Sequence, residues 1–253
     1  MSSQQQHSWS SRVEHKFKCL NVSERTGHES TFDLKPKIGT SDTAVIACSE
    51  KYWAVPYVGG GGPVFISPID AKGKVEPENR GVNGHKAECY CVAFSPHDGA
   101  RMATAGDDGS VLLWDCDERA QLQSIGSHRS GAREVIFHPT ASGILASVGT
   151  DGEVNVWDSS RAGQPKLTSQ LGVASGALDF NRDGSLLLSC GRDKIMRGID
   201  PRMSSTAWEC SPHGGPRSFR ARWVDSENAV VSCGPAKRGG REIVLIDTRK
   251  TDQ

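Results

Sequence analysis

The chain has 253 residues, 36% of them hydrophobic, which is enough to bury the core of one large domain or two small ones. Lys plus Arg and Asp plus Glu balance at 30 each, which excludes a global electrostatic pull towards nucleic acid or an anionic membrane and leaves any charged partner to a local patch. No apolar run approaches the roughly 18 residues of a transmembrane helix, and the polar start Met1-Ser2-Ser3-Gln4-Gln5-Gln6 lacks a signal-peptide apolar core, so a cytosolic address is expected.

Residues 1–11 read as a disordered N-terminus, and residues 12–250 as a segment of repeats. A leading unit, about 40–75, ends near Phe65-Ile66-Ser67-Pro68-Ile69-Asp70. Its Gly59-Gly60-Gly61-Gly62 run reads as a tight turn, because no Lys-Ser or Lys-Thr follows it and strand residues come next, unlike a phosphate loop. The second unit, 85–121, and the third, 128–167, superpose without a gap: Gly84-His85 through Trp114-Asp115 matches Ser127-His128 through Trp157-Asp158. Within them Val92-Ala93-Phe94-Ser95-Pro96 matches Val135-Ile136-Phe137-His138-Pro139, and Asp108 and Asp151 each stand six residues before the Trp. A degenerate fourth unit, 170–205, has Gln170 in the His slot, Ser189 and Asp193 in place, and Ile199 for the Trp. The fifth, 213–250, ends at Val244-Leu245-Ile246-Asp247 after an insertion around Pro235–Gly240.

The step from Trp114 to Trp157 is 43 residues, inside the roughly 40–45-residue period of WD40 blades. Short β-branched and aromatic runs separated by Asp-Gly and Asn-Arg-Asp-Gly turns suit four-stranded meanders. The spacing therefore predicts an all-β WD40 propeller of four-stranded antiparallel blades, about five units being present. In such blades the sets His85, Thr104, Asp108, Trp114 and His128, Ser147, Asp151, Trp157 should each form a hydrogen-bonded network across the strands. Ser, His and Asp in one unit resemble a catalytic triad by type, but their recurrence at the same offsets one unit later marks structural residues. No catalytic residue is predicted. No His-x-x-x-His or Cys/His cluster suggests a metal, and no cofactor is expected. The eight cysteines are scattered without a Cys-x-x-Cys pair. They read as reduced core residues, Cys89 and Cys91 alternating as same-face strand positions would.

Several stretches resemble coronins more than WD40 proteins at large. The most specific is Arg192-Asp193-Lys194-Ile195-Met196-Arg197-Gly198-Ile199-Asp200-Pro201-Arg202; others are Phe137-His138-Pro139-Thr140-Ala141, Gly214-Gly215-Pro216-Arg217 with Arg220-Ala221, and Gly60-Gly61-Gly62-Pro63-Val64-Phe65. Lys16-Phe17-Lys18 followed by Asp33-Leu34-Lys35 is similar to the coronin amino terminus. The resemblance implies an actin-filament-binding protein of the cytoskeleton and cell cortex, with other cytoskeletal regulators as further partners and no nucleic acid. It also implies seven blades, a connecting region and a coiled coil. With about five units and no sustained heptads, the chain is expected to be a truncated or an unusual short member, its ring closure and oligomeric state left open. By the resemblance, Lys35 stands where the family carries a filament-binding Arg in an Asp-Ile-Arg stretch, with Lys37 and Lys18 as neighbours. A second basic group, Arg217, Arg220, Arg222, Lys237, Arg238 and Arg241, could add attraction to an acidic filament. The alternative is a general WD40 scaffold, such as a substrate receptor of a ubiquitin ligase.

Overall fold

The computed structural model describes residues 31–32, 36, 45–57, 59–71, 73–74, 81–171, 175–203, 205–224 and 228–250. Its elements are strands, apart from one 3-10 turn at Thr248–Lys250. Among the described residues no helix is long and apolar enough to cross a membrane.

Five antiparallel sheets follow one another along the chain. Blade 1 joins β2 (Ala47–Cys48), β3 (Tyr52–Pro56), β4 (Val64–Pro68) and β6 (Gly81–Val82), while the two-residue strands β1 (Thr31–Phe32) and β5 (Gly73–Lys74) pair in parallel as a separate sheet. Blade 2 holds β7 (Cys89–Phe94), β8 (Arg101–Gly106), β9 (Ser110–Asp115) and β10 (Ala120–Ser127). Blade 3 holds β11 (Ala132–Phe137), β12 (Ile144–Gly149), β13 (Glu153–Asp158) and β14 (Leu167–Gln170). Blade 4 holds β15 (Ser175–Phe180), β16 (Leu187–Gly191), β17 (Met196–Asp200) and β18 (Ser205–Cys210). Blade 5 has three strands, β19 (Arg220–Val224), β20 (Ala229–Pro235) and β21 (Arg241–Asp247). In blades 2 and 4 the fourth strand ends just before the next unit's histidine, His128 or His213, and in blade 3 it ends on Gln170.

The middle strands read as continuous apolar runs because both of their faces are covered. In β9, Leu112 and Trp114 pack with Ala54, Val64 and Ile66 of blade 1, while Val111 and Leu113 pack with Val135, Leu145 and Trp157 of blade 3. The same division recurs between blades 3 and 4 and between blades 4 and 5. The innermost strands β2, β7, β11, β15 and β19 touch in that order, and no contact of similar extent returns from β19–β21 to blade 1. The described blades form an open arc, stacked like the units of a repeat protein.

A β-bulge near the start of the inner strand overturns one expectation. Cys89 pairs with Gly106 and Cys91 with Ala105, so an extra residue, Tyr90, stands between two consecutive partners. That residue flips the alternation: Cys89 packs towards blade 1 and Cys91 towards blade 3, on opposite faces rather than the same one. Equivalent bulges lie between Ala132 and Glu134 and between Ser175 and Ala177. The first two turn out Tyr90 and Arg133, whose guanidinium sits 4.3 Å from the Tyr90 ring centre. Cys89, Cys91, Cys116 and Cys190 are buried and unbridged, but Cys48 and Cys233 are exposed and do not belong to the core. Burial pushes the Cys91, Cys116 and Cys190 thiols up to about 12, which leaves them unreactive.

The bulge also aims a carboxylate across the blade boundary. Glu134 on β11 is buried and accepts the Leu178 N–H of β15 at 2.9 Å, and Arg222 of β19 donates to the Leu178 carbonyl at 2.6 Å. One step further round, Asp179 accepts the Trp223 N–H at 2.8 Å. Burial raises Glu134 to about 7, against the opposing charges of Arg222 and Arg220 and with Asp179 adding to the rise. A carboxyl whose folded pKa is raised binds its proton more tightly when folded, so its contribution is fully present below the ordinary value near 4.5 and is lost as pH rises through about 7. Denaturant titrations at pH 5 and pH 8 should therefore show the parent losing about 2 kcal/mol more than Glu134→Gln, which keeps the acceptor without the charge. Parallel pH profiles for the two proteins would contradict this.

Candidate functional site

Each blade must satisfy the polar atoms it buries between its strands, and blade 2 does so with the predicted set. His85, placed before β7, reaches Asp108 in the β8–β9 turn through Nδ1 at 3.1 Å and Thr104 on β8 through Nε2 at 2.7 Å. Trp114 on β9 donates its indole N–H to Thr104 Oγ1 at 2.9 Å. A carboxylate only accepts, so Nδ1 carries the hydrogen; Nε2 then accepts the Thr104 hydroxyl, whose oxygen accepts from the indole. Ser110, absent from the sequence prediction, donates to Asp108 at 2.6 Å and lies 2.9 Å from His85 Nδ1. Burial lowers the His85 pKa from its ordinary 6.5, outweighing the charge of Asp108, and keeps the ring neutral as this pattern requires.

Blade 3 repeats the network with a change of partners. His128 Nε2 and Trp157 Nε1 both meet Ser147 Oγ at 2.7 Å, but Asp151 stands 3.6 Å from Nδ1 and Asn155 comes to 3.4 Å. Gly106 and Gly149 make room for these rings: a Cβ at either would lie 2.4 or 2.7 Å from the His Nδ1. His128, Asp151 and Glu153 bring ligand-type atoms within 4.8 Å of one another. Those atoms already have protein partners, since Asp151 accepts from the Arg129 and Glu153 backbone and Glu153 accepts from Gln170 at 2.6 Å.

Two further blades carry networks that the sequence prediction did not assemble. His213 meets Ser232 at 2.8 Å and Glu242 at 3.1 Å; its 19-residue distance from Ser232, equal to that of His85 from Thr104, was the available signal. Blade 4 has no histidine here, and Arg197 binds Asp193 at 2.6 Å instead. The motif residue His138 also has a structural role. It accepts from the Thr140 and Ala141 N–H groups through Nδ1 and, through Nε2, donates to the Gly184 carbonyl of blade 4 at 3.2 Å.

The predicted basic residues fall into separate places. Lys18, Lys35 and Lys37 lie outside the described residues. Arg217, Arg220, Lys237 and Arg241 line a cleft of about 730 Å³ between the approach to β19 and the β20–β21 hairpin, with Phe219, Pro216 and Pro235 among its other walls. Arg238 is exposed on that hairpin. Arg222 is drawn away to the Leu178 carbonyl and stands 3.7 Å from Glu134. On blade 4, Lys194 holds a left-handed φ of 68° where the equivalent turn positions are Gly109 and Gly152, both at 79°.

Radial four-stranded blades locked by His, hydroxyl and Trp define a WD40-repeat propeller. The family model described as WD domain, G-beta repeat matches residues 78–115, 119–158 and 171–200, and a domain of unknown function, DUF1899, matches residues 14–74. The WD40 domain of Toxoplasma gondii coronin superposes with a TM-score of 0.82 at 24% identity, over 88% of this chain and 60% of that one. Within this class the chain is a coronin-family N-terminal propeller segment. Coronin-A of Dictyostelium discoideum is 32% identical over 242 residues, 92% of this chain and 54% of its own length. The coronin-like protein crn1 of Schizosaccharomyces pombe is 26% identical over 216 residues, 81% of this chain and 36% of its own. The chain thus spans between about a third and just over half of the curated coronins it matches.

Removing the hydroxyl from a lock while keeping its shape leaves an imidazole nitrogen and an indole N–H buried without partners. Thr104→Val should cost about 2–4 kcal/mol in equilibrium unfolding, well above what the same change costs at the exposed Thr206. Equal losses at the two sites would show that the network does not hold the blade.

Proposed function

We propose that this chain is a non-enzymatic, coronin-like propeller that binds actin filaments and takes part in cortical cytoskeleton organisation in the cytoplasm. The likeness to coronins over most of the chain carries this reading. Basic side chains at one end of the arc support it: Arg217, Lys237 and Arg238 are exposed, and no ion pair holds them among the described residues. Such groups suit an acidic filament surface and should speed encounter more than they deepen affinity. The non-enzymatic part rests on the locks: Thr104 and Ser147 are fully buried, and their hydroxyls are spent on His and Trp.

Co-sedimentation of the folded protein with actin filaments tests the proposal. Saturable pelleting that weakens with salt is expected, with Lys35→Asp reducing it about tenfold and the pair Arg217→Glu, Lys237→Glu reducing it less. No pelleting by the folded parent at low salt would overturn the reading, and pelleting indifferent to Lys35→Asp would remove that residue from the site.

A further inference from the structure

The inner strands of blades 2, 3 and 4 begin with the same irregularity, and the extra residue differs in each: Tyr90 in β7, Arg133 in β11 and Gly176 in β15. In blades 2 and 3 the backbone beside the bulge is held alike. The Asp107 N–H bonds the Glu88 carbonyl at 2.8 Å, and the Thr150 N–H bonds the Gly131 carbonyl at 2.8 Å. Asp107 and Thr150 therefore occupy one position, at the start of the turn into the third strand and beside the side chain that the bulge turns out.

In blade 2 that position answers its bulge residue, because Asp107 accepts the Tyr90 hydroxyl. In blade 3 it does not: Thr150 has no carboxylate, and its hydroxyl is donated to Ser130 at 2.6 Å. The turn carboxylates Asp151 and Glu153 are engaged by His128 and Arg129. Arg133 leans back over blade 2 instead, with its guanidinium 4.3 Å from the Tyr90 ring centre. Its Nε is buried without a hydrogen-bond partner, and no ion pair holds its Nη groups among the described residues. On the other side the equivalent residue, Gly176, has no side chain to offer. Stacking satisfies the face of a guanidinium and none of its N–H donors, which lie in the plane and match a carboxylate two at a time.

We propose that Arg133, seated on Tyr90, is a receptor for one carboxylate side chain of an acidic segment of a protein partner. The charges around it favour a carboxylate over a phosphate. Glu88 and Asp107 both bear on the Tyr90 hydroxyl, so a dianion would meet two negative groups with one cation to oppose them, whereas a single carboxylate is matched by a single guanidinium. The receptor lies between blades 2 and 3, each flanked by another blade, and it stands apart from the cations of blade 5 and from the filament reading.

Nuclear magnetic resonance of the full chain with isotope-labelled arginine tests this, following the Arg133 Nε–H signal, which Arg133→Gln removes and so assigns. The titrants, at constant ionic strength up to about 50 mM, are a capped Gly-Glu-Gly peptide, its Gln counterpart and inorganic phosphate. A saturable shift with the Glu peptide is expected, with a Kd on the order of 10 mM, and little change at the exposed Arg182. Tyr90→Leu should weaken binding about threefold by removing the platform. Thr150→Asp should weaken it about tenfold by giving blade 3 the internal carboxylate that blade 2 already has, while leaving Arg133 and Tyr90 in place. Circular dichroism and thermal melting confirm that each variant is folded. No shift with the Glu peptide, an equal shift with the Gln peptide, tighter binding of phosphate, or binding indifferent to Thr150→Asp would each overturn the proposal.

Discussion

Burying an imidazole between strands obliges a blade to supply partners for both ring nitrogens at once. In blade 2 that demand fixes the hydroxyl on β8, the carboxylate in the turn, the indole on β9 and a glycine at the end of β8. It thereby sets the position of the turn and the register of the hairpin. The apolar faces then need only be roughly complementary, because a one-residue slip would leave the ring and the indole unpaired as well as turning the wrong side chains inwards.

The blades meet this demand by different means. Ser110 joins His85 and Asp108 in blade 2, Asn155 takes up position beside His128 in blade 3, and Glu242 replaces the turn Asp in blade 5. Blade 4 substitutes the pair Arg197 and Asp193. Between blades a second set of bonds takes over: Glu134 and Asp179 each accept a backbone N–H from the next inner strand, and His138 reaches the turn of blade 4. The coronin-like motif residues Arg197 and His138 therefore serve the fold, while Lys194, held in a left-handed turn, and the cations Arg217, Lys237 and Arg238 beside blade 5 remain turned towards solvent or its margin.

Much of this architecture was legible because the lock is periodic. The 43-residue step and the repeated His, hydroxyl, Asp and Trp positions announced blades 2 and 3, and the turn chemistry announced their hairpins. What escaped was whatever breaks the period. The bulge at Tyr90 inverts the faces of Cys89 and Cys91, a one-residue event without a compositional signature. Glu242 reaches His213 from beyond an insertion that displaces it from the expected turn position. Arg222 looked like one of a group of free cations until the geometry showed it bonded to the carbonyl of a residue 44 positions away. The Lys18, Lys35 and Lys37 assignment came from resemblance alone, and those residues lie outside the described part of the chain.

The locks lie within single blades, and the stitches between inner strands join nearest neighbours. Information about how to fold therefore travels only one blade at a time, and an interior blade is specified without reference to the size of the assembly. Such a design is modular in the engineer's sense: a unit can be copied, lost or recombined at a boundary without rewriting the ones beyond its neighbour. What a unit at the boundary must solve is a different problem, that of a surface built to be covered.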